Sequence, residues 1–310
     1  MQHFDVAIIG GGPAGLTAAM ALSRSLRRVV VLDSVRPPRN VFAKEVHGIV
    51  GLDGVSPGEY RRRAWDDLKK YGMAELHEVT GTDVTPGPED GFTVTAEDSR
   101  PMWARRVLLT AGMVDVHPEI EGFGECWGKT VIHCPLCLGW ENRDRTWGVV
   151  TGDPEFAATA AAGFSAWSDD VIVLTDGATP AGEWGGAAVV EGKIRRLHHI
   201  GGDLRAVELA DGTVIDRQTL LWQLDQRPVP LIAHLAEHRG LAMDEDGYVE
   251  VDGSFRTSVP GVYAAGDLVT EAQAAVESAA GGSGAAFQII ADTGRPSGPS
   301  PVGYPSAAQP

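Results

Sequence analysis

Cysteine is scarce in this chain, with three residues in 310. Three thiols cannot build a disulfide framework, so a reducing compartment is the default reading. Positive charge is also in deficit: 26 Lys and Arg face 42 Asp and Glu, a net charge of -16. Such a surface repels phosphates, which argues against nucleic acid and anionic membranes as partners. Long apolar runs are missing too. A stretch of about 18 or more apolar residues would be needed for a transmembrane helix, and none occurs. The opening "MQHFDVAIIG" enters an apolar strand directly, without a basic n-region, an apolar h-region or a small-residue cleavage site. A cytoplasmic protein is expected.

What is present has a clear order. "FDVAIIGGGPAGLTAAMALSRSLRRVVVLDS" reads as strand, glycine turn, Ala-rich helix and strand, ending at Asp33. Gly10, Gly12 and Gly15 satisfy G-x-G-x-x-G, and Asp33 follows the first glycine by 23 residues. Gly10 permits the tight turn, Gly12 lets backbone approach a pyrophosphate, and Gly15 lets helix and strand pack closely. Free N–H groups at the helix start then meet the phosphates, and Asp33 can accept from a ribose hydroxyl. A glycine turn without a ligand is the bland alternative, and the strand–turn–helix–strand context with its distal acid weighs against it.

Downstream, Ser56 can cap a helix with Pro57 at its first position. "GFTVTAEDSRPMWARRVLLTAG" reads as a hairpin followed by a buried strand. "RTWGVVTGDPEFAATAAAGFSAWSDDVIVLTDG" then repeats the βαβ plan, about 140 residues after the first. Short β-like runs occupy residues 186–224. "GYVEVDGSFRTSVPGVYAAGDLVTEAQAAVESAAGGSGAAFQII" reads as hairpin, strand and long Ala/Gly-rich helix, before a Pro/Gly/Ser-rich tail over 295–310. The fold class is α/β, with two Rossmann-like domains.

"VIHCPLCLGW" places Cys134 and Cys137 in a C-x-x-C motif. Metal ligation, thiol–disulfide chemistry and accidental spacing all produce such a pair. Cys126 and His133 are the nearby candidates for further ligands, and their spacing matches no common zinc pattern. Thiol redox leads, and no metal is expected. Cys126 reads as an inert thiol. His133, beside a thiol that must lose its proton, reads as a base, with a polar strand end as the alternative. The run Arg61–Arg62–Arg63 reads as a solvated helix face. His198 and His199 are neighbours in a strand and point to opposite faces, which argues against paired chemistry.

Together, "GGGPAG" at the start, "TAG" at 110–112, C-x-x-C at 134–137, the second βαβ and "GVYAAGD" at 261–267 resemble the low-molecular-weight thioredoxin reductase family of flavoproteins. The resemblance covers nearly the whole chain. It implies three-layer ββα/βαβ domains and FAD as cofactor. The FAD domain would be discontinuous, residues 1–115 plus 245–310, around an inserted domain, 116–244, that carries the C-x-x-C. By the same resemblance the flavin contacts are Gly10, Gly12, Pro13, Ala14, Gly15, Asp33, Ala111, Gly112, Gly266, Asp267, Gln273 and Ala274. Asp267 would meet the ribityl–phosphate region, and Cys137 would be the flavin-proximal sulfur. Arg39 and Asn40, in "PPRN", lie in the loop that in this fold reaches toward the flavin; Asn40 is also a catalytic candidate, with a turn role as its alternative. His47 is a further candidate for lining the flavin, set against simple packing.

The chain departs from the reductases in two places. Where they read G-x-G-x-x-A for NADPH, this chain has "VVTGDPEFAA". Pro154 replaces the middle glycine and Asp153 brings a carboxylate to the turn, both hostile to a pyrophosphate. No arginine follows the next strand, although Asp176 stands where an NAD-type acid would. NADPH binding is not expected. Reductases also carry an Asp directly after the second Cys, where this chain has Leu138. His133 before the motif, with Arg39 and Asn40 upstream, is similar instead to the dithiol oxidases that close disulfides in natural products of the gliotoxin, holomycin and romidepsin type. That resemblance implies a small-molecule dithiol substrate, molecular oxygen as the final acceptor, hydrogen peroxide release and a homodimer. Two alternatives stay open: a disulfide reductase using NAD(P)H or ferredoxin, and a non-catalytic flavoprotein sensor or binding module.

Overall fold

The computed structural model describes residues 1–34, 39, 42–179, 184, 186 and 188–294. Asn40 and the 295–310 tail lie outside the described residues. The chain divides into two units: residues 1–38, 58–114 and 226–310 form one, and 39–57 with 115–225 form the other.

The first unit is built on a seven-stranded sheet. Its apolar runs, such as "VVVL" at Val29–Leu32, are buried along their whole length, as strands covered on both faces must be. Ala74–His77, Val29–Leu32, His3–Ile9, Met102–Leu109 and Val262–Ala264 run parallel. Phe92–Ala96 and Gly81–Pro86 continue the sheet antiparallel. The expected hairpin arm and the buried strand after it are one continuous strand, Met102–Leu109. Helix Pro13–Arg24 packs on helix Ala275–Thr293 through small residues. A Cβ on Gly282 would stand 2.0 Å from the Ala14 carbonyl oxygen. The hairpin expected over 248–259 is reduced to turns and isolated bridges, Met243 with Val249 and Arg256 with Tyr263.

The second unit holds a five-stranded parallel sheet, ordered Ala188–Val190, Val171–Leu174, Trp147–Val150, Thr219–Trp222, Val131–Ile132. A three-stranded antiparallel sheet, Ile194–Ile200, Asp203–Leu209 and Val214–Asp216, accompanies it. The second βαβ is therefore Trp147–Val150, helix Pro154–Phe164 and Val171–Leu174.

The unit boundaries differ from those expected. Residues 226–244 belong to the first unit rather than to the insertion, because Leu231, Ile232 and Leu235 of helix Pro230–Arg239 enter its core. Arg239 also pairs with Asp83 at 2.6 Å. Residues 39–57 belong to the second unit, tied there by Arg39 to Asp115 at 2.7 Å and His47 to Glu141 at 3.5 Å.

Candidate active site

In the first unit the glycine turn is shaped by contact. Gly10 has φ +117°, and a Cβ on it would stand 2.2 Å from the Thr110 carbonyl oxygen. A Cβ on Gly15 would stand 1.9 Å from the Gly10 carbonyl oxygen, so this position is closed to any side chain. Gly12 is the opposite case: nothing lies within 4 Å of a Cβ there, and it starts a 12-residue helix that has no side-chain cap. Pro13 fills the first helical position, where its missing N–H costs nothing. Open backbone at an uncapped helix start is the geometry a pyrophosphate requires.

Asp33 closes the far side of the turn. Its Oδ1 accepts from the Gly11 N–H at 3.0 Å, and its Oδ2 pairs with Arg61. The reading of Arg61 as a solvated helix face is therefore corrected, while Arg62 and Arg63 do reach Glu59 at the exposed surface. Ala14 lies under Gly266 (φ +79°), whose Cβ would be 2.8 Å from that of Ala14. Asp267 accepts a hydrogen bond from Ser278 Oγ. Gln273 donates to the Asp267 carbonyl at 3.3 Å and forms a reciprocal amide pair with Gln226 at 2.7 and 2.9 Å. Ala274 opens helix Ala275–Thr293, and Ala111 with Gly112 (φ +67°) continues from Thr110. These residues fit the phosphate and ribityl portions of FAD. Arg61, Ser278 and Gln226 join the group unforeseen, because only the fold brings them to it.

In the second unit Cys134 caps the short helix Pro135–Leu138, and the Cys134 and Cys137 sulfurs are 2.7 Å apart. The Cys134 thiol is lowered to about 6. Its hydrogen bond with Cys137 contributes most, followed by the N–H groups of Cys137 and Leu136 and the charge of Arg39, all against burial. His133 is lowered to about 4, first by burial and then by Arg39, with Asp115 opposing. Its ring lies against Trp127 at 5.9 Å between centroids. Cys126 is fully buried, and burial pushes its thiol up to about 11. Leu138 packs against the core formed by Ile132, Trp147 and Leu221. That position anchors the motif in apolar surroundings, where a carboxylate would be costly.

One anchor escaped the sequence reading. Asn142 is 2% exposed, and its Nδ2 donates to the Lys129 and Leu138 carbonyls, each at 3.0 Å. Its Oδ1 accepts from Thr219 Oγ1 at 3.1 Å. Asn142 thus ties the end of the dithiol helix to the parallel sheet. Arg39 and His47 lie in this unit, Arg39 against Asp115 and His47 among Glu45, Asp53 and Glu141 at 3.4–3.5 Å. No group of three or more His, Cys, Asp or Glu among the described residues is arranged to hold a metal ion.

At the carboxyl ends of Trp147–Val150, Val171–Leu174 and Thr219–Trp222 a cavity of about 360 Å³ opens, lined in part by Gly152, Asp153, Asp176 and Gln223. Ligands of open α/β sheets bind at this end. Here the chain meets its own groups. Asp153 Oδ1 accepts from the Glu155 N–H at 2.9 Å, capping the helix that Pro154 begins. Asp176 accepts from the Ile194 N–H at 2.8 Å and from Lys193 Nζ at 2.6 Å.

The chain matches the pyridine nucleotide-disulphide oxidoreductase family over residues 4–180 and 187–282. It belongs to the low-molecular-weight thioredoxin-reductase-like FAD flavoproteins. Within that family it is 32% identical to thioredoxin reductase tcpT of Claviceps purpurea, over 93% of this chain and 95% of tcpT. It is 29% identical to thioredoxin reductase sirT of Leptosphaeria maculans, over 93% and 94% of the two chains. The crystal structure of HlmI superposes with a TM-score of 0.84 at 34% identity, covering 93% of this chain and 92% of HlmI. An oxidoreductase from Agrobacterium tumefaciens gives 0.83 at 30% identity, covering 94% and 98%. Two nucleotide-binding domains and chemistry on thiols or disulfides follow from membership of these flavoproteins. Among the described residues no helix is long and apolar enough to cross a membrane.

Proposed function

We propose that this flavoprotein is a dithiol oxidase, which closes an intramolecular disulfide in a small-molecule natural product and delivers the electrons to oxygen. The observation that carries this reading is the second βαβ. Its phosphate-facing helix start is capped by Asp153, whose Oδ1 accepts from the Glu155 N–H. A pyrophosphate would meet a carboxylate where it needs N–H groups, so NADPH is a poor electron source for this chain.

The Gly10–Gly15 turn, Asp33 and Asp267 would hold FAD, which would supply a two-electron acceptor open to reoxidation by oxygen with release of hydrogen peroxide. The chain's own work is thiol exchange. With Cys134 and Cys137 joined, a substrate thiolate bonds to Cys134 Sγ, the bond between the two cysteines breaks, and Cys137 leaves with the electron pair. The substrate's second thiolate then attacks its own sulfur in the mixed disulfide, and Cys134 leaves as thiolate. The substrate has lost two electrons and two protons, and the cysteine pair has gained the two electrons. His133, beside Cys134 in the chain, is the residue expected as base, but burial lowers its conjugate acid to about 4, which makes it a weak acceptor for a thiol proton and counts against that role.

The names of the fungal relatives favour a second reading, a disulfide reductase running the relay toward a protein or small-molecule disulfide. Anaerobic stopped-flow separates the two. Flavin bleaching by dithiothreitol but not by NADPH or NADH is expected, with oxygen consumed when air is admitted. Rapid bleaching by NADPH would sink the oxidase reading. If dithiols consume no oxygen and Cys134→Ser changes nothing, a binding or sensing role replaces both. A homodimer is part of this proposal, by resemblance, and sedimentation tests it.

A further inference from the structure

We propose that Gln226 and Tyr248 are positioning residues for the flavin: through Gln273 they preset the Asp267 loop that would receive the ribityl–phosphate part of FAD. Neither role depends on the direction of electron flow proposed above.

The loop has little structure of its own. Between the short 3₁₀ turn Gly266–Leu268 and helix Ala275–Thr293, residues 269–274 adopt neither helix nor strand. Ordering such a segment only when a ligand arrives costs affinity. Side chains that hold it beforehand raise affinity without touching the ligand.

The hydrogen bonds around Gln273 can be made in one orientation only. The Asp267 carbonyl can only accept, and it takes an N–H from Gln273 Nε2 at 3.3 Å. The other Nε2 hydrogen goes to Gln226 Oε1 at 2.7 Å, and Gln226 Nε2 returns a bond to Gln273 Oε1 at 2.9 Å. Tyr248 OH donates to the same Gln226 Oε1 at 3.3 Å. A flipped Gln226 amide would set one NH2 group against another and lose the tyrosine bond. Both Nε2 hydrogens of Gln273 are thus used inside the protein. Gln273 therefore serves the flavin through the backbone it fixes, not through a side-chain N–H.

Asp267 is held from its other end as well, where its carboxylate accepts from Ser278 Oγ on helix Ala275–Thr293. The Val249 N–H donates to the Leu268 carbonyl at 2.9 Å, which ties the backbone beside Tyr248 to the residue after Asp267. Gln226 lies in strand Gln226–Pro228, paired with Met113–Asp115, so the clamp stands on hydrogen-bonded backbone.

The test is FAD release from the full-length holoprotein, followed by recovery of flavin fluorescence on dilution. Gln226→Leu, Tyr248→Phe, Gln273→Leu and the double variant Gln226→Leu/Gln273→Leu are compared with the parent. Leu235→Ala, which opens the core of the same unit, controls for lost stability alone. Release is expected to be about tenfold faster in Gln226→Leu, which loses both amide bonds, and about threefold faster in Tyr248→Phe. The double variant is expected to release FAD no faster than Gln273→Leu, because Gln226 acts through Gln273. Visible circular dichroism of the bound flavin is expected to change in Gln226→Leu and to stay parental in Leu235→Ala. A folded Gln226→Leu with the parental release rate overturns the proposal, as does additivity in the double variant or equally fast release from Leu235→Ala. If Gln226→Leu does not fold, Tyr248→Phe decides: faster release supports the clamp, and the parental rate overturns it.

Discussion

Replacing Asn142 with alanine removes one side chain and strands three groups. The Lys129 and Leu138 carbonyls lose a donor, and the buried Thr219 hydroxyl loses its acceptor. Each hydrogen bond of this kind is worth about 1 kcal/mol net, and more where the partner stays buried and unpaired. The variant is therefore expected to lose about 3 kcal/mol, concentrated where the dithiol helix meets the parallel sheet. Global denaturation of a two-unit chain is a poor readout, since a single unfolding free energy is not defined there. Amide hydrogen exchange by mass spectrometry is better, because it reports local opening. If closing outpaces exchange, about 3 kcal/mol corresponds to exchange roughly a hundredfold faster. That acceleration is expected across 129–142 and in the Thr219–Trp222 strand, with peptides of the glycine turn unchanged. Asn142→Asp keeps the Thr219 contact but buries a charge, and should be at least as damaging. Acceleration of less than about threefold in Asn142→Ala would refute the view that this side chain holds the motif to the sheet.

The remaining predictions test single links. Because the folded His133 is held near 4, below an unfolded value of about 6.5, the unfolded chain binds the extra proton as pH falls. The second unit should thus lose up to about 3 kcal/mol between pH 6.5 and 4, and His133→Asn should flatten that slope in acid-dependent hydrogen exchange. The same depression predicts that dithiol turnover shows no ascending limb near pH 6.5 assignable to His133; such a limb, abolished in His133→Asn, would mean the imidazole is not held neutral. Cys126, buried and raised to about 11, should resist iodoacetamide in the native protein and react on denaturation. Arg61→Ala should leave Asp33 without its cation and lower FAD retention several-fold after gel filtration, read from the flavin absorbance of the eluted protein.

Much of this molecule is written locally, and that part was legible. The two βαβ units are continuous apolar strands leading into turns where glycines such as Gly10, Gly15 and Gly152 leave no room for a side chain, and both properties survive in a one-dimensional reading. The capping role of Asp153 was half visible, as a carboxylate in a turn that should have none. What could not be read was set by distance along the chain. Arg61 sits in a run of three arginines on one helix, turned about 100° from one another, and nothing in the run tells which of them meets Asp33, 28 residues away. Asn142 lies in "ENRDRT", a stretch with every mark of a polar loop, yet it is buried by Thr219, 77 residues on. The boundary at 244 failed for a related reason. Helix Pro230–Arg239 has no linker before it, and its apolar face carries no label saying which of two sheets it will cover.

The dithiol region shows why the two departures from the reductase pattern belong together. Leu138 faces the Ile132–Trp147 core, so the position after the second cysteine anchors the helix and has no access to a leaving thiolate. A thiol held near 6, chiefly by its hydrogen bond with Cys137, is largely ionised at neutral pH. Such a sulfur is a good leaving group toward a substrate that closes its own disulfide, since it need not be protonated to depart. A reductase, which must hand a proton to the thiol it releases, would be poorly served by the same arrangement. The self-capped helix start of the second βαβ and the apolar Leu138 are separate observations, and each supports the oxidase reading proposed above.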